Sequence, residues 1–145
     1  MIQMAISPEA RHHVAGLLLR EIGVEPCGDM QAMLWVNKDN EIEWIVGYTA
    51  FIGKTCQMHI VNLGGKAMVR ELLHCAFDYA FNHCKLEKVF GIVNSLNERA
   101  MNYDKKVGFK EAHRFVGMHD NGGDLVVLEL DKADCKWIRE LKHAA

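Results

Sequence analysis

Four residues of this chain combine type and spacing that suit proton transfer and ligand binding. Tyr103 and Asp104 are neighbours in "NERAMNYDKKVGF", Asn97 opens that stretch, and His59 lies in the apolar run "TCQMHIVN". A phenol near pKa 10, a carboxyl near 3.9 and an imidazole near 6.5 span the range from weak acid to neutral-pH base. One helical residue is about 100° of rotation, so Tyr103 and Asp104 are expected to face different directions. Each residue also has a bland reading. Tyr103 fits a core aromatic, Asp104 a solvated acid, His59 a satisfied strand histidine, and Asn97 a helix N-cap. Gln57 alternates onto the same strand face as His59.

The elements that must position these groups can be read from local signals. Ser7 and Pro8 predict a helix start, with Val14, Leu17, Leu18 and Ile22 at helical spacing and Gly23 as its end. "QAMLWVN", "IEWIVGYTAFI" and "TCQMHIVN", joined by "KDNE" and "GK", predict three antiparallel strands. In "LGGKAMVRELLHCAFDYAFNHC", Met68, Val69, Leu72, Leu73, Ala76, Phe77, Ala80 and Phe81 give a broad apolar helix face. "KVFGIVN" predicts a buried strand, and the stretch containing Tyr103 a helix closed by Gly108. "HRFVGMHD", "NGGD" and "LVVLELD" predict strand, turn and strand, and "DCKWIRELKH" a closing helix. The order argues for an α/β protein with a mixed sheet.

Bulk properties narrow the function classes. The 145 residues predict one domain, residues 1–145, with a sizeable core. A net charge of −2 argues against a general nucleic-acid binder. No apolar run approaches a membrane span of roughly 20 residues and no secretory leader is visible, so a cytoplasmic protein off the membrane is expected. Five cysteines without a CxxC fit free thiols in a reducing compartment. Cys56 and His59 point to opposite strand faces, and His74-Cys75 and His83-Cys84 are half a turn out of phase on one helix. No metal is expected. Trp35 and Trp44 are expected to pair across a hairpin or to wall a cleft.

The order of elements, with Asn97, Ala100, Gly108 and Phe109 in the register N-x-x-A-x-x-x-Y-x-x-x-G-F, resembles the GCN5-related N-acetyltransferase superfamily. The resemblance runs from the first helix to the last strand. It implies a mixed, mostly antiparallel sheet of about six to seven strands with flanking helices and a splayed parallel pair at its centre. It also implies acetyl-CoA as cosubstrate, with Asn97 on the pantetheine arm. The family's diphosphate loop, R-x-x-G-x-G/A, corresponds to "LGGKAM" here, with Leu63 at the arginine and Lys66 and Met68 at the two small positions. Gly64 and Gly65 keep the backbone open, and Lys66 and Arg70 add positive charge. The cosubstrate site so implied comprises Val61, Asn62, Gly64, Gly65, Lys66, Ala67, Met68 and Asn97.

The family's tyrosine commonly protonates the departing thiolate, but its register falls on Asp104, with Tyr103 one position early. Three outcomes follow. The helix shifts so that Tyr103 serves; or Asp104 is a surface residue and water protonates the thiolate; or Asp104 binds or deprotonates the amine. Aspartate would be ionised unless burial raised its pKa strongly. The family's general base is often a strand glutamate; "TCQMHIVN" has none, leaving His59 as candidate. The resemblance thus implies acetyl transfer to a primary amine, small molecule or protein, in a ternary complex. The alternative is a non-catalytic domain of the same fold acting through protein contacts. The family often forms homodimers, though no stripe in this chain demands one.

Overall fold

The computed structural model describes residues 1–23, 30–64 and 67–138. A short strand β1 (Ile2–Met4) leads into α1 (Pro8–Ile22), whose N-terminus is capped by Ser7 Oγ accepting from the Ala10 N–H at 3.1 Å. Gly23 ends α1 at φ 68°, a left-handed conformation that glycine adopts without a Cβ penalty. The meander follows as β2 (Gln31–Val36), β3 (Ile42–Ile52) and β4 (Thr55–Asn62). Then come α2 (Arg70–Asp78), a π-helical turn (Tyr79–His83), β5 (Lys88–Asn94), α3 (Glu98–Val107), β6 (Lys110–Phe115) and β7 (Leu125–Asp131).

The strands form one seven-stranded sheet in the order β1-β2-β3-β4-β5-β7-β6. Only β4 and β5 are parallel; the other neighbours are antiparallel. The expected fold class, a mixed sheet with a central parallel pair and flanking helices, is what the chain adopts.

Strand alternation divides the core between the two sheet faces. Cys56 and Met58 of β4 join Val46, Tyr48, Val89 and Leu128 beneath Leu72, Phe77 and Phe81 of the α2 region and Met101 of α3. Val61 joins Ala32, Leu34 and Ile45 beneath Val14 and Leu18 of α1. Burying such aliphatic and aromatic side chains contributes about 1.5–3 kcal/mol each. The fully buried Trp137 donates from Nε1 to the Val107 carbonyl at 2.8 Å and so fixes the end of α3.

Three local expectations need correction, and one strand was not foreseen. β1 was not legible: three residues are too short for a periodic signal. α2 begins at Arg70, so Met68 and Val69 pack on the core from the preceding loop instead of from the helix. The strand expected at "HRFVGMHD" lies earlier, at Lys110–Phe115, and residues 116–120 form the turn, where Gly117 has φ 68°. The closing helix starts at 136 after a 3-10 turn (Lys132–Asp134), and its part beyond 138 lies outside the described residues. No helix among the described residues is long and apolar enough to cross a membrane.

Candidate active site

The parallel ladder between β4 and β5 is short. It pairs Thr55 with Lys88, Cys56 with Val89 and Gln57 with Phe90, and then stops although both strands continue. Beyond it, Met58–Asn62 diverge from Gly91–Asn94 and leave a cleft of about 1300 Å³ with strand backbone on both walls. Gly91 suits the narrow end, because a Cβ there would lie 3.3 Å from the Met58 carbonyl oxygen. Gly64, Ala67 and Met68 border the wide end. α3 borders one side through Asn97, Ala100, Tyr103 and Asp104.

The motif helix is built as its sequence requires. Asn97 Oδ1 accepts from the Ala100 N–H at 3.1 Å, so the N-cap reading holds. That bond uses the oxygen and not the amide NH2, and Asn97 borders the cleft, so cap and ligand donor are compatible roles. Gly108, at φ 127°, receives the end of α3, and Phe109 then turns inward to pack against Phe77.

Tyr103 and Asp104 both border the cleft. Tyr103 lies on the indole of Trp44, with ring centroids 5.5 Å apart, and burial and the nearby Asp104 push its pKa up to about 12. Burial pushes Asp104 up to about 7. The strong rise that an aspartate would need to act as an acid is therefore present.

His59 is 6% exposed, borders the cleft, and is hydrogen-bonded through Nε2 to Thr49 Oγ1 at 3.0 Å. Desolvation lowers its pKa to about 4, which makes it a poor base at neutral pH. Thr49 carries no signal in the sequence. Trp44 sits opposite Trp35 in the β2–β3 register and walls the cleft, so both roles foreseen for that pair occur.

The loop residues distribute unevenly. Asn62 borders the cleft, and its Oδ1 accepts from the Gly64 N–H at 2.9 Å, shaping the loop entrance. Val61 is buried toward α1 and also borders the cleft. Gly65 and Lys66 lie outside the described residues. Arg70, expected to add charge here, lies over the Trp137 ring at 5.2 Å and is not among the described residues that border the cleft; Arg99 is. The α2 N-terminus has Val69 at its cap position with no side-chain cap bond, leaving first-turn N–H groups to meet an anion. Further lining residues are Glu21 and Ile22 at the end of α1 and His119 of the β6–β7 loop, none of them legible from sequence spacing. No group of three or more metal-ligating side chains converges among the described residues.

This arrangement of strands and helices recurs in known structures. The spermidine N-acetyltransferase from Vibrio cholerae in complex with CoA and spermine superposes with a TM-score of 0.72 over 92% of this chain and 96% of that one, at 15% identity. The chain has an N-acetyltransferase fold. Mutant forms of the spermidine/spermine N-acetyltransferase from the same organism match over 97% of this chain and 99% of theirs, with a TM-score of 0.71 and 15% identity. No family model and no curated protein matches the sequence. Within the acetyltransferase fold, the β4/β5 divergence and α3 stand where the resemblance implied.

Proposed function

We propose that this chain moves an acetyl group from acetyl-CoA to a primary amine, both bound at once. The observation that carries this reading is the early end of the β4–β5 ladder at Gln57↔Phe90, which leaves strand backbone lining a cleft beside the motif helix. Two features fit a long acyl thioester with a diphosphate end. The uncapped N-terminus of α2 supplies N–H groups and a positive dipole end near the wide mouth. Gly91 keeps the narrow end clear of a side chain. From Asn62 back to His59 the chain is extended strand, roughly 10 Å of backbone to lie along a pantetheine arm.

In this reading Gly64, Ala67 and Met68 lie against the diphosphate, the sequence candidates Gly65 and Lys66 being outside the described residues, and the Asn97 amide NH2 donates to the arm. Asp104 is the general acid. A carboxyl near 7 gives its proton favourably to a thiolate whose thiol sits near about 8.5, whereas a phenol near 12 does not. Tyr103 instead shapes the wall through its stack on Trp44. The attacking amine loses its proton to water in the open cleft. The V. cholerae relatives carry polyamine acceptors in their names, and a primary alkyl amine is the acceptor class proposed for this chain. The expected cytoplasmic location belongs to the same proposal, and fractionation tests it; light scattering tests whether the chain forms a homodimer.

One observation favours the non-catalytic alternative: the Gly64 N–H, a donor the diphosphate would use, is bonded to Asn62 Oδ1. A coupled assay for free thiol release from acetyl-CoA, with a panel of alkyl amines, separates the two. Amine-dependent thiol release supports the enzyme, and its absence with every amine supports the alternative.

A further inference from the structure

Thr49 and His59 form an isolated pair on the α1-facing side of the sheet. Thr49 is 5% exposed and His59 6% exposed, and each is the other's side-chain hydrogen-bond partner at 3.0 Å. The pair exists because a bulge in β3, where Ala50 has φ 52°, shifts the β3–β4 register and sets Thr49 opposite Gln57, diagonal to His59.

Hydrogen-bond bookkeeping decides which atom carries the imidazole proton. A threonine hydroxyl has one proton, and His59 Nε2 is the acceptor it meets among the described residues. Were Nε2 protonated, it would donate to Thr49 and the buried Thr49 O–H would be left without an acceptor. A buried donor without a partner is the costlier outcome. Thr49 therefore donates to Nε2, and the proton of the neutral ring sits on Nδ1. Among the described residues, Trp44 Nε1 is the side-chain polar atom that is both closed to solvent and without a partner. His59 Nδ1 has no partner among the described residues and is not among the fully closed, unpartnered atoms, and His59 borders the cleft. A residue carrying an N–H donor of fixed tautomer thus borders the cleft, two positions beyond the last β4–β5 pair.

Resting on the acetyl-transfer reading above, we propose that His59 Nδ1–H donates a hydrogen bond to the thioester carbonyl oxygen, with Thr49 as the positioning residue that fixes its tautomer. The amine nitrogen attacks the carbonyl carbon, and the carbonyl π pair moves onto the oxygen, where Nδ1–H meets the developing charge. That pair then re-forms the C=O bond as the C–S bond breaks. The thiolate takes the Asp104 proton, and the proton lost by the amine nitrogen returns to solvent. The desolvation that lowers the His59 pKa supports this role, because a ring neutral throughout the working range stays a donor without becoming an acid.

Two measurements on the full chain test it. A long-range 15N–1H correlation spectrum should show His59 in the Nδ1–H form; Thr49→Val should shift it toward Nε2–H, and Thr49→Ser should restore it. Kinetically, His59→Phe should lower kcat by about 10²–10³-fold, the range for losing one oxyanion donor. Its dissociation constant for acetyl-CoA should stay near that of the parent, and Thr49→Val should lose part of the rate that Thr49→Ser regains. An Nε2–H ring in the unmodified protein, or unchanged turnover in His59→Phe, overturns this inference and leaves acetyl transfer standing. Failure of the unmodified protein to bind acetyl-CoA overturns acetyl transfer itself, whatever the tautomer.

Discussion

Tyr103 lies against Trp44 with ring centroids 5.5 Å apart and planes inclined by 28°. The stack places the phenol against the cleft wall, and on the proposed reading the proton donor is its neighbour Asp104, which occupies the tyrosine register of the motif. Tyr103→Phe keeps the stack and should turn over within about threefold of the parent, whereas Asp104→Asn should lose about 10²-fold or more in kcat. Steady-state kinetics with saturating amine checks both. The reverse ranking would return the acid role to Tyr103.

The pH dependence follows from the same residue. Asp104 must be protonated to serve, so the acid-dependent part of kcat should fall as pH rises through about 7. Asp104→Asn should remove that limb while leaving the rise that reflects amine deprotonation. A kcat profile from pH 5.5 to 9 reads this directly.

Stability supplies an independent check. Burial raises the Asp104 pKa from 3.8 to about 7, so the folded state favours the protonated form. The contribution is fully present below the unfolded value near 3.8 and is lost as pH rises through about 7. Asp104→Asn should therefore melt a few °C above the parent at pH 8, on the order of the shift that 1 kcal/mol produces, and at the same temperature below pH 4. Equal melting temperatures at pH 8 would contradict the buried acid.

Asn97 caps α3 through its oxygen and, on the proposed reading, binds acetyl-CoA through its amide, and substitutions can part the two roles. Asn97→Ser retains an N-cap oxygen but removes the amide donor, so stability should hold while acetyl-CoA binding weakens by up to about tenfold, the worth of one hydrogen bond. Asn97→Ala should in addition lose about 0.5–2 kcal/mol of stability. Thermal melts paired with binding isotherms distinguish them.

Much of this was legible from residues alone. The apolar alternation of β2 to β5, the Ser7-Pro8 and Gly23 ends of α1, and the Asn97-to-Phe109 register each rest on local chemistry that the fold preserves. The Thr49–His59 pair was not legible. Counting outward from the Gly53-Lys54 turn, where Ile52 pairs with Thr55, would set Thr49 opposite Met58 and on the wrong face. The bulge at Ala50 moves the register by one residue, and an alanine at φ 52° announces nothing in sequence. The stacking of Tyr103 was hidden for a similar reason: it depends on how α3 is set down on β3, a tertiary relation with no periodic signature. The contact of Arg70 with Trp137 was not legible, because Trp137 lies far along the chain.

The central claim is that the divergence of β4 and β5 holds acetyl-CoA, and calorimetric titration of the purified chain with acetyl-CoA tests it most directly. The account expects saturable binding of one molecule per chain, weakened when Gly91→Val fills the narrow end. No heat and no thermal stabilisation at millimolar acetyl-CoA would contradict it.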